Sequence, residues 1–267
     1  MVASISTLGK APSFRYEADM VGPLRDALPR LAFRHEPQSP VQVFTEVPAI
    51  QGIPDLVGVR FIEKNIDLRQ RAGVLPLSSE IEVRTIMALG YEVLDASELA
   101  YRTQTSRTYM RRAVLPLLGD LGWIQLRSEN QVCRRPEALW VGRRVVTVEA
   151  KLKNWQTALA QARRQRYSAD AAYIALDAAS VGPVGNYLGA IASSGVGVIA
   201  VDSKTRLAQV LVRPERQDFC SFGAGKILLA ERCLDMLIRG TKEGQIYPVF
   251  GELPPSSSRE CSTTPSA

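Results

Sequence analysis

A single histidine, His35, stands in 267 residues, and the four cysteines, Cys133, Cys220, Cys233 and Cys261, are scattered without a CxxC pair. The first scarcity leaves a serine or cysteine triad without a base unless His35 itself serves, and it argues against a zinc hydrolase. The second offers neither a zinc knuckle nor a disulfide framework, so the thiols are expected to be reduced and packed. No apolar run approaches the roughly 20 residues that cross a bilayer, and residues 1–10 lack the basic start and apolar centre of a signal peptide. No membrane partner and a cytoplasmic location are therefore expected. There is no internal repeat and no dinucleotide fingerprint. "GAGK" at residues 223–226 lacks the full phosphate-loop spacing and its Ser or Thr, and reads as a helix start.

What is present is an apolar content of 46%, enough for a substantial core, and a net charge of +6 with a pI near 9.3. The charge is compatible with a polyanionic partner. Arginines gather over residues 102–112 and 127–144, and again at Arg163, Arg164 and Arg166.

Periodicity divides the chain into an α/β core and an insert. Residues 1–10 are expected to be mobile. A helix is predicted from Ser13, with Tyr16, Met20, Leu24 and Leu28 at helical spacing and Pro29 at or just beyond its end. "VQVFTEVPA" and "IPDLVGVRF", separated by Gly52, read as a β-hairpin. Residues 77–140 change texture. "SSEIEVRTIMALG" suits a first helix, Asp95 can cap a second, and Thr105 or Ser106 can cap a third that Pro116 bends or shortens. "WIQLRSENQVCRR" then supplies two short strands with Ser128, Glu129 and Asn130 at the turn. Three helices followed by a hairpin describe a winged helix-turn-helix.

After Trp140 the α/β texture returns: a strand "RRVVTVEAKL", a helix over residues 155–167, strands "AAYIALD", "VGVIAVD" and "AQVLVR", and a helix over residues 226–239. Alternating strands and helices imply a partly parallel sheet with covered faces. The Ser/Thr/Pro-rich residues 254–267 are expected to be disordered.

On a strand, positions i and i+2 share a face, so Glu149 and Lys151 of "TVEAKLK" project together while Ala150 points away. Taken alone the pair suits a solvated edge equally well. Asp55, at the start of the apolar run "DLVGV", can bring a second carboxylate to the same sheet end. Two carboxylates bind Mg²⁺ through oxygen and leave positions for water and a phosphate oxygen.

With Pro54 and Asp55 followed by Glu149, Ala150 and Lys151, the chain resembles the PD-(D/E)xK phosphodiesterase superfamily. The resemblance covers residues 13–76 and 141–240 and implies a restriction-endonuclease-like mixed sheet flanked by helices. It implies that Asp55 and Glu149 ligate Mg²⁺, with Mn²⁺ as a substitute, and that Lys151 orients or activates the attacking water. Family members often add an acidic residue from the first helix, for which Glu17 is the match, ahead of Asp19 and Glu46. The helix after the catalytic strand often carries a polar residue facing the site, and Gln161 is chosen over Gln165 as the nearer to that strand. The 94 positions between Asp55 and Glu149 are far more than a hairpin needs, and an inserted domain over residues 77–140 accounts for the excess.

In that insert Arg107, Thr108, Tyr109, Arg111 and Arg112 lie where the third helix would face duplex DNA, and Arg127, Arg134 and Arg135 would serve on the wing. The expected function is a metal-dependent DNA endonuclease. The alternatives are a non-cleaving DNA-binding regulator or assembly factor with a degenerate core, and an RNA-processing nuclease. A homodimer or a partner protein stays open.

Overall fold

The computed structural model describes residues 13–33, 40–128, 130–214 and 223–244. His35, Glu129, Cys220 and Cys261, residues 1–10 and the tail 254–267 lie outside the described residues.

In chain order, helix α1 (Ala18–Ala32) leads to the hairpin β1 (Val41–Thr45) and β2 (Leu56–Phe61), then helix α2 (Glu63–Ala72). Helix α3 (Glu80–Leu89), strand β3 (Val93–Asp95) and helix α4 (Ala96–Thr103) follow. The next helical stretch runs as α5 (Arg107–Tyr109), a π-helical turn (Met110–Val114) and α6 (Leu115–Asp120), before β4 (Ile124–Ser128) and β5 (Gln131–Arg134). The chain then forms β6 (Gly142–Lys151), α7 (Trp155–Gln165), β7 (Ala171–Asp177), α8 (Leu188–Ser193), β8 (Val196–Val201), β9 (Ala208–Val212) and α9 (Ala224–Ile238).

Among the described residues the strands make two sheets, a mixed six-stranded one in the order β1-β2-β6-β7-β8-β9 and a three-stranded one in the order β3-β5-β4. In the large sheet β6, β7 and β8 run parallel, and β1, β2 and β9 run antiparallel to their neighbours. Alternation along the strands feeds two covered faces. Val146, Val148, Tyr173 and Ile199 pack under Met20, Leu24 and Leu28 of α1. Gly58 permits that approach, since a β-carbon there would lie 3.0 Å from the Phe33 ring and 3.1 Å from Leu28. The opposite face packs Ile174 and Leu176 against α7 and α8, and Phe44, Val57, Val59 and Val145 against α9.

Helix α1 runs through Pro23 and Pro29 rather than stopping at Pro29. Proline removes one amide donor, and the buried stripe from Met20 to Ala32 outweighs that loss. The second and third helices of residues 77–140 begin at predicted caps, Asp95 and Ser106, and the first opens on a cap of its own. Ser79 and Glu82 form a reciprocal capping box, Asp95 accepts from the amides of Ser97 (2.7 Å) and Glu98 (2.9 Å), and Ser106 Oγ accepts from the amide of Tyr109 (3.1 Å). Pro116 has no N–H to offer the carbonyl of residue 112, and the backbone widens into the π turn just before it. No helix of the described residues is long and apolar enough to cross a membrane.

Residues 77–140 share a hydrophobic cluster in which Val83, Ile86, Leu99, Met110, Leu118 and Trp123 meet Ile227 and Leu228 of α9. Beside it, Arg69 of α2 makes a paired contact with Glu231 of α9 at 2.7 and 2.9 Å, both side chains 1% exposed. Arg69 also donates to the carbonyl of Leu75 (3.0 Å) and lies 4.6 Å from the Trp123 ring, while Glu231 accepts the amide of Leu77 (3.2 Å). Breaking such a pair strands a buried charge, so Glu231→Ala is expected to cost about 3–5 kcal/mol in urea unfolding. Arg69→Met combined with Glu231→Leu should recover most of it. Equal losses in the single and double variants would show that the two charges are not coupled.

Candidate active site

The register of β2 and β6 sets the site. Leu56 pairs with Val148, so Asp55, one residue before β2, comes level with the last turn of the pleat in β6. There its Oδ2 accepts the backbone N–H of Ala150 at 2.6 Å, a contact between residues 95 positions apart. Alternation along β6 puts Glu149 and Lys151 on the face that carries α7. Helix α7 begins at the Asn154 cap, whose Oδ1 accepts from the amide of Thr157 at 3.3 Å. Its far end brings Gln165 back over the strand.

Glu149 is 2% exposed, with Oε2 accepting from Gln165 Nε2 at 2.7 Å and Oε1 3.5 Å from Lys151 Nζ. Lys151 Nζ donates to Glu17 Oε2 at 3.0 Å, and the amide of Leu152 donates to Glu17 Oε1 at 3.4 Å. Burial raises the pKa of Glu149, the nearby Asp55 charge raises it further, and the contacts from Gln165 and Lys151 offset only part of this. Asp55 is also raised, chiefly by burial, against the lowering effect of the Ala150 amide and of Lys151. For Lys151, burial acts downward but is outweighed by the hydrogen bond to Glu17 and by the charges of Asp55 and Glu149, so its ammonium is held above the ordinary lysine range. The result is a pair of carboxylates whose joint charge the surrounding protein does not fully compensate.

Two carboxylates brought to one end of β6 are a donor set that a divalent cation could use. The donors are all carboxylate oxygens, as a hard ion such as Mg²⁺ requires. Among the described residues no three His, Cys, Asp or Glu side chains converge as a metal cage. A Mg²⁺ site does not need one, because this ion is commonly held by one or two carboxylates and completes its shell with water and phosphate oxygen.

Four of the expected residues, Asp55, Glu149, Lys151 and Glu17, thus come together. Glu17 reaches the group through Lys151. The glutamine at Glu149 is Gln165 and not Gln161, because α7 passes back along β6 and presents its last residue. Counting from the strand misleads here, since distance along the chain grows while distance in space shrinks. Gln161 has a buried Oε1 with no hydrogen-bond partner. Asp19 accepts from the amide of Tyr16 at the start of α1, and Glu46 sits in the left-handed region at φ 54° with its amide 3.3 Å from the carbonyl of Asp55.

Of the expected DNA contacts, Arg107, Thr108, Tyr109, Arg111 and Arg112 are exposed along the helical stretch from α5 to α6. Arg127 is exposed and its Nε lies 3.0 Å from Cys133 Sγ. Arg134 is folded inward instead. Its guanidinium lies 4.6 Å from the Trp140 ring, donates to the carbonyl of Ala138, and has its pKa lowered by burial. Arg135 is half-buried, 3.7 Å from Glu137 and donating to the carbonyl of Ala72. Packing between aromatic rings holds the first and an ion pair the second, so neither extends freely from the hairpin.

No family model matches the chain, and no curated protein or solved structure matches it.

A carboxylate with a raised pKa binds more protons folded than unfolded, so the metal-free fold loses stability as pH rises from the ordinary carboxylate range through the raised value. Exposed Glu92, Asp95 and Asp202 are lowered and act oppositely, so the comparison must be a difference. Asp55→Asn with Glu149→Gln is expected to raise the melting temperature in EDTA at pH 7 and to leave it unchanged near pH 4. A lower melting temperature at pH 7 would mean that the pair stabilises the empty fold.

Proposed function

We propose that the chain is a metal-dependent DNA endonuclease with a PD-(D/E)xK core of restriction-endonuclease-like type and a winged helix-turn-helix insert. The observation that carries the proposal is the convergence of Asp55, Glu149, Lys151 and Gln165 at one end of β6. Two under-compensated carboxylates at the carboxyl end of a parallel strand, beside an ammonium, suit a site that meets a phosphodiester.

Asp55 and Glu149 would hold the cation, Mg²⁺ or Mn²⁺, and Gln165 keeps the Glu149 carboxylate in place. A bound cation supplies positive charge where negative charge develops on the phosphate. Lys151 Nζ, whose acidic neighbours favour its charged form, is placed to donate to a developing oxyanion. Glu17 fixes that ammonium through its 3.0 Å contact.

Supporting the winged-helix reading is the order helix, strand, helix, helix, strand, strand over residues 77–140, closed by the sheet β3-β5-β4. The exposed face of the third helical stretch carries Arg107, Arg111 and Arg112, which suits phosphate or base-edge contacts on a duplex. The competing reading, a DNA-binding regulator with an unused core, draws on Glu17, whose carboxylate is engaged with Lys151 and not with a cation site. Cleavage decides between them.

Purified protein is expected to cut plasmid or linear duplex in Mg²⁺ or Mn²⁺ and to be silent in EDTA. Asp55→Asn and Glu149→Gln should each lose more than about 100-fold in rate with DNA affinity intact, and Gln165→Ala, acting through Glu149, about 10–100-fold. Wild-type rates in the two carboxylate variants would sink the assignment.

For the insert, Arg107, Arg111 and Arg112 changed together to Ala should weaken duplex binding and flatten its salt dependence by about 0.9 in log–log slope for each phosphate that is no longer neutralised. An unchanged slope and affinity would indicate a protein-interaction module.

A further inference from the structure

The carboxyl ends of β6 and β7 carry more than the carboxylates. Four residues beyond Lys151, Trp155 opens α7, and its ring packs against Tyr187 at 5.2 Å between centroids with the planes tilted by 33°. Tyr187 ends the turn that follows β7 and is 51% exposed. Leu176 of β7 pairs with Lys151 in the sheet, and the contact with Trp155 brings Tyr187 to the same end of the sheet. Four residues span at most about 14 Å, which places the rings within a few nucleotides of a phosphate held at Lys151. Tyr16 precedes Glu17, the partner of Lys151, is 57% exposed, and lies 5.1 Å from the Arg15 guanidinium. Lys153, between strand and rings, is exposed.

Aromatic rings can simply cover the core, and Trp155, half-buried, does pack against it. Tyr187 needs no such role, because half of its surface stays in water while its ring contacts that of Trp155. Aromatic faces beside cations are what unpaired bases bind, since every base offers a π-face and its phosphate a negative charge. Fully paired bases are stacked on one another and do not offer that face.

We infer that Trp155 and Tyr187 form a stacking platform for an unpaired DNA base within a few nucleotides of the scissile phosphate, so that the preferred substrate carries a single-stranded or frayed segment near the cut. Its assignment to a substrate rests on the nuclease reading, whereas the stacking itself does not.

The test uses the full chain in EDTA, so that no cleavage is needed, with single-stranded oligonucleotides carrying 2-aminopurine at successive positions and a blunt duplex as control. The wild type is expected to quench the fluorescence at one or two positions. Tyr187→Ala should weaken single-strand binding by about fivefold or more, in the range seen for loss of a stacked base, and leave duplex affinity unchanged. Tyr187→Phe, which keeps the ring, should stay near wild type. Trp155→Phe is the companion variant, because a smaller aromatic ring preserves the α7 packing, and it should reduce the quenching. Wild-type single-strand affinity in Tyr187→Ala, an equal loss on duplex, or no quenching at any position would overturn the platform. A platform present in a protein that cuts nothing in Mg²⁺ would remove the nuclease reading, and cleavage with unaltered single-strand binding in Tyr187→Ala would remove the platform alone.

Discussion

Glu231 and Arg69 are both sealed from water, and moving two such charges out of solvent is costly enough that their contact must be matched on every side. The match is close. The guanidinium meets both carboxylate oxygens, a second donor goes to Leu75, a ring of Trp123 covers its face, and the remaining carboxylate capacity takes the amide of Leu77. Trp123 is tied to the same carbonyl of Leu75 through Nε1 at 2.7 Å. Three parts of the chain thereby meet at one point: α2 after the hairpin, the segment that leads into residues 77–140, and α9. Removing any of them leaves a polar group without its partner in an apolar surround.

The opposite electrostatic situation prevails at the carboxyl end of β6. There the fold holds Asp55 and Glu149 together with Lys151 as a shared counterion, and Lys151 is divided between Glu149 and Glu17. The rigidity needed to hold like charges comes from the sheet. Asp55 is pinned to the backbone of Ala150, and β6 lies between β2 and β7 with hydrogen-bonded neighbours on both sides. Glu149 and Lys151 are thus held on a central strand, and Asp55 is held to it by the Ala150 amide, so the arrangement is built with little freedom to rearrange.

Where local chemistry decides the structure, the sequence was readable. Ser79 with Glu82, Asp95 and Ser106 each mark a helix start through side-chain oxygens that satisfy free amides, and simple alternation along β6 is enough to put Glu149 and Lys151 on one face. Helix α2 gave no such signal. Its residues "EKNIDLRQRA" carry no apolar stripe, and the one side chain it buries is Arg69, whose burial depends on a carboxylate 162 positions away. Strand β3 is three residues long, and its pairing with β5 shows only in three dimensions. Gln165 escaped for a related reason, since its partner is set by the angle at which α7 recrosses β6. Arg134 looked like a wing cation and is a packed one, because nothing in "QVCRR" announces that Trp140 and Tyr91 will close over it. The features that stayed hidden are those in which a charged residue is placed by distant partners.

Helix α9 joins these two regimes. Ile227 and Leu228 face the cluster of residues 77–140, while Leu229, Ala230, Cys233 and Leu234, on the same helix, cover the large sheet next to Val145 of β6. Residues one or two apart on a continuous helix cannot shift relative to each other without breaking its hydrogen bonds, so the surfaces packed on its two sides are held at one offset. Arg232 reinforces this by donating to Pro48 on the β1–β2 connection (2.8 Å) and to Ser78 just before α3 (3.1 Å). An insert placed through a flexible linker would sample many distances from the core. Here the cluster of residues 77–140 and the large sheet are both packed on one continuous helix, so the proposed DNA-binding face and the proposed cleavage site lie at a separation fixed by packing.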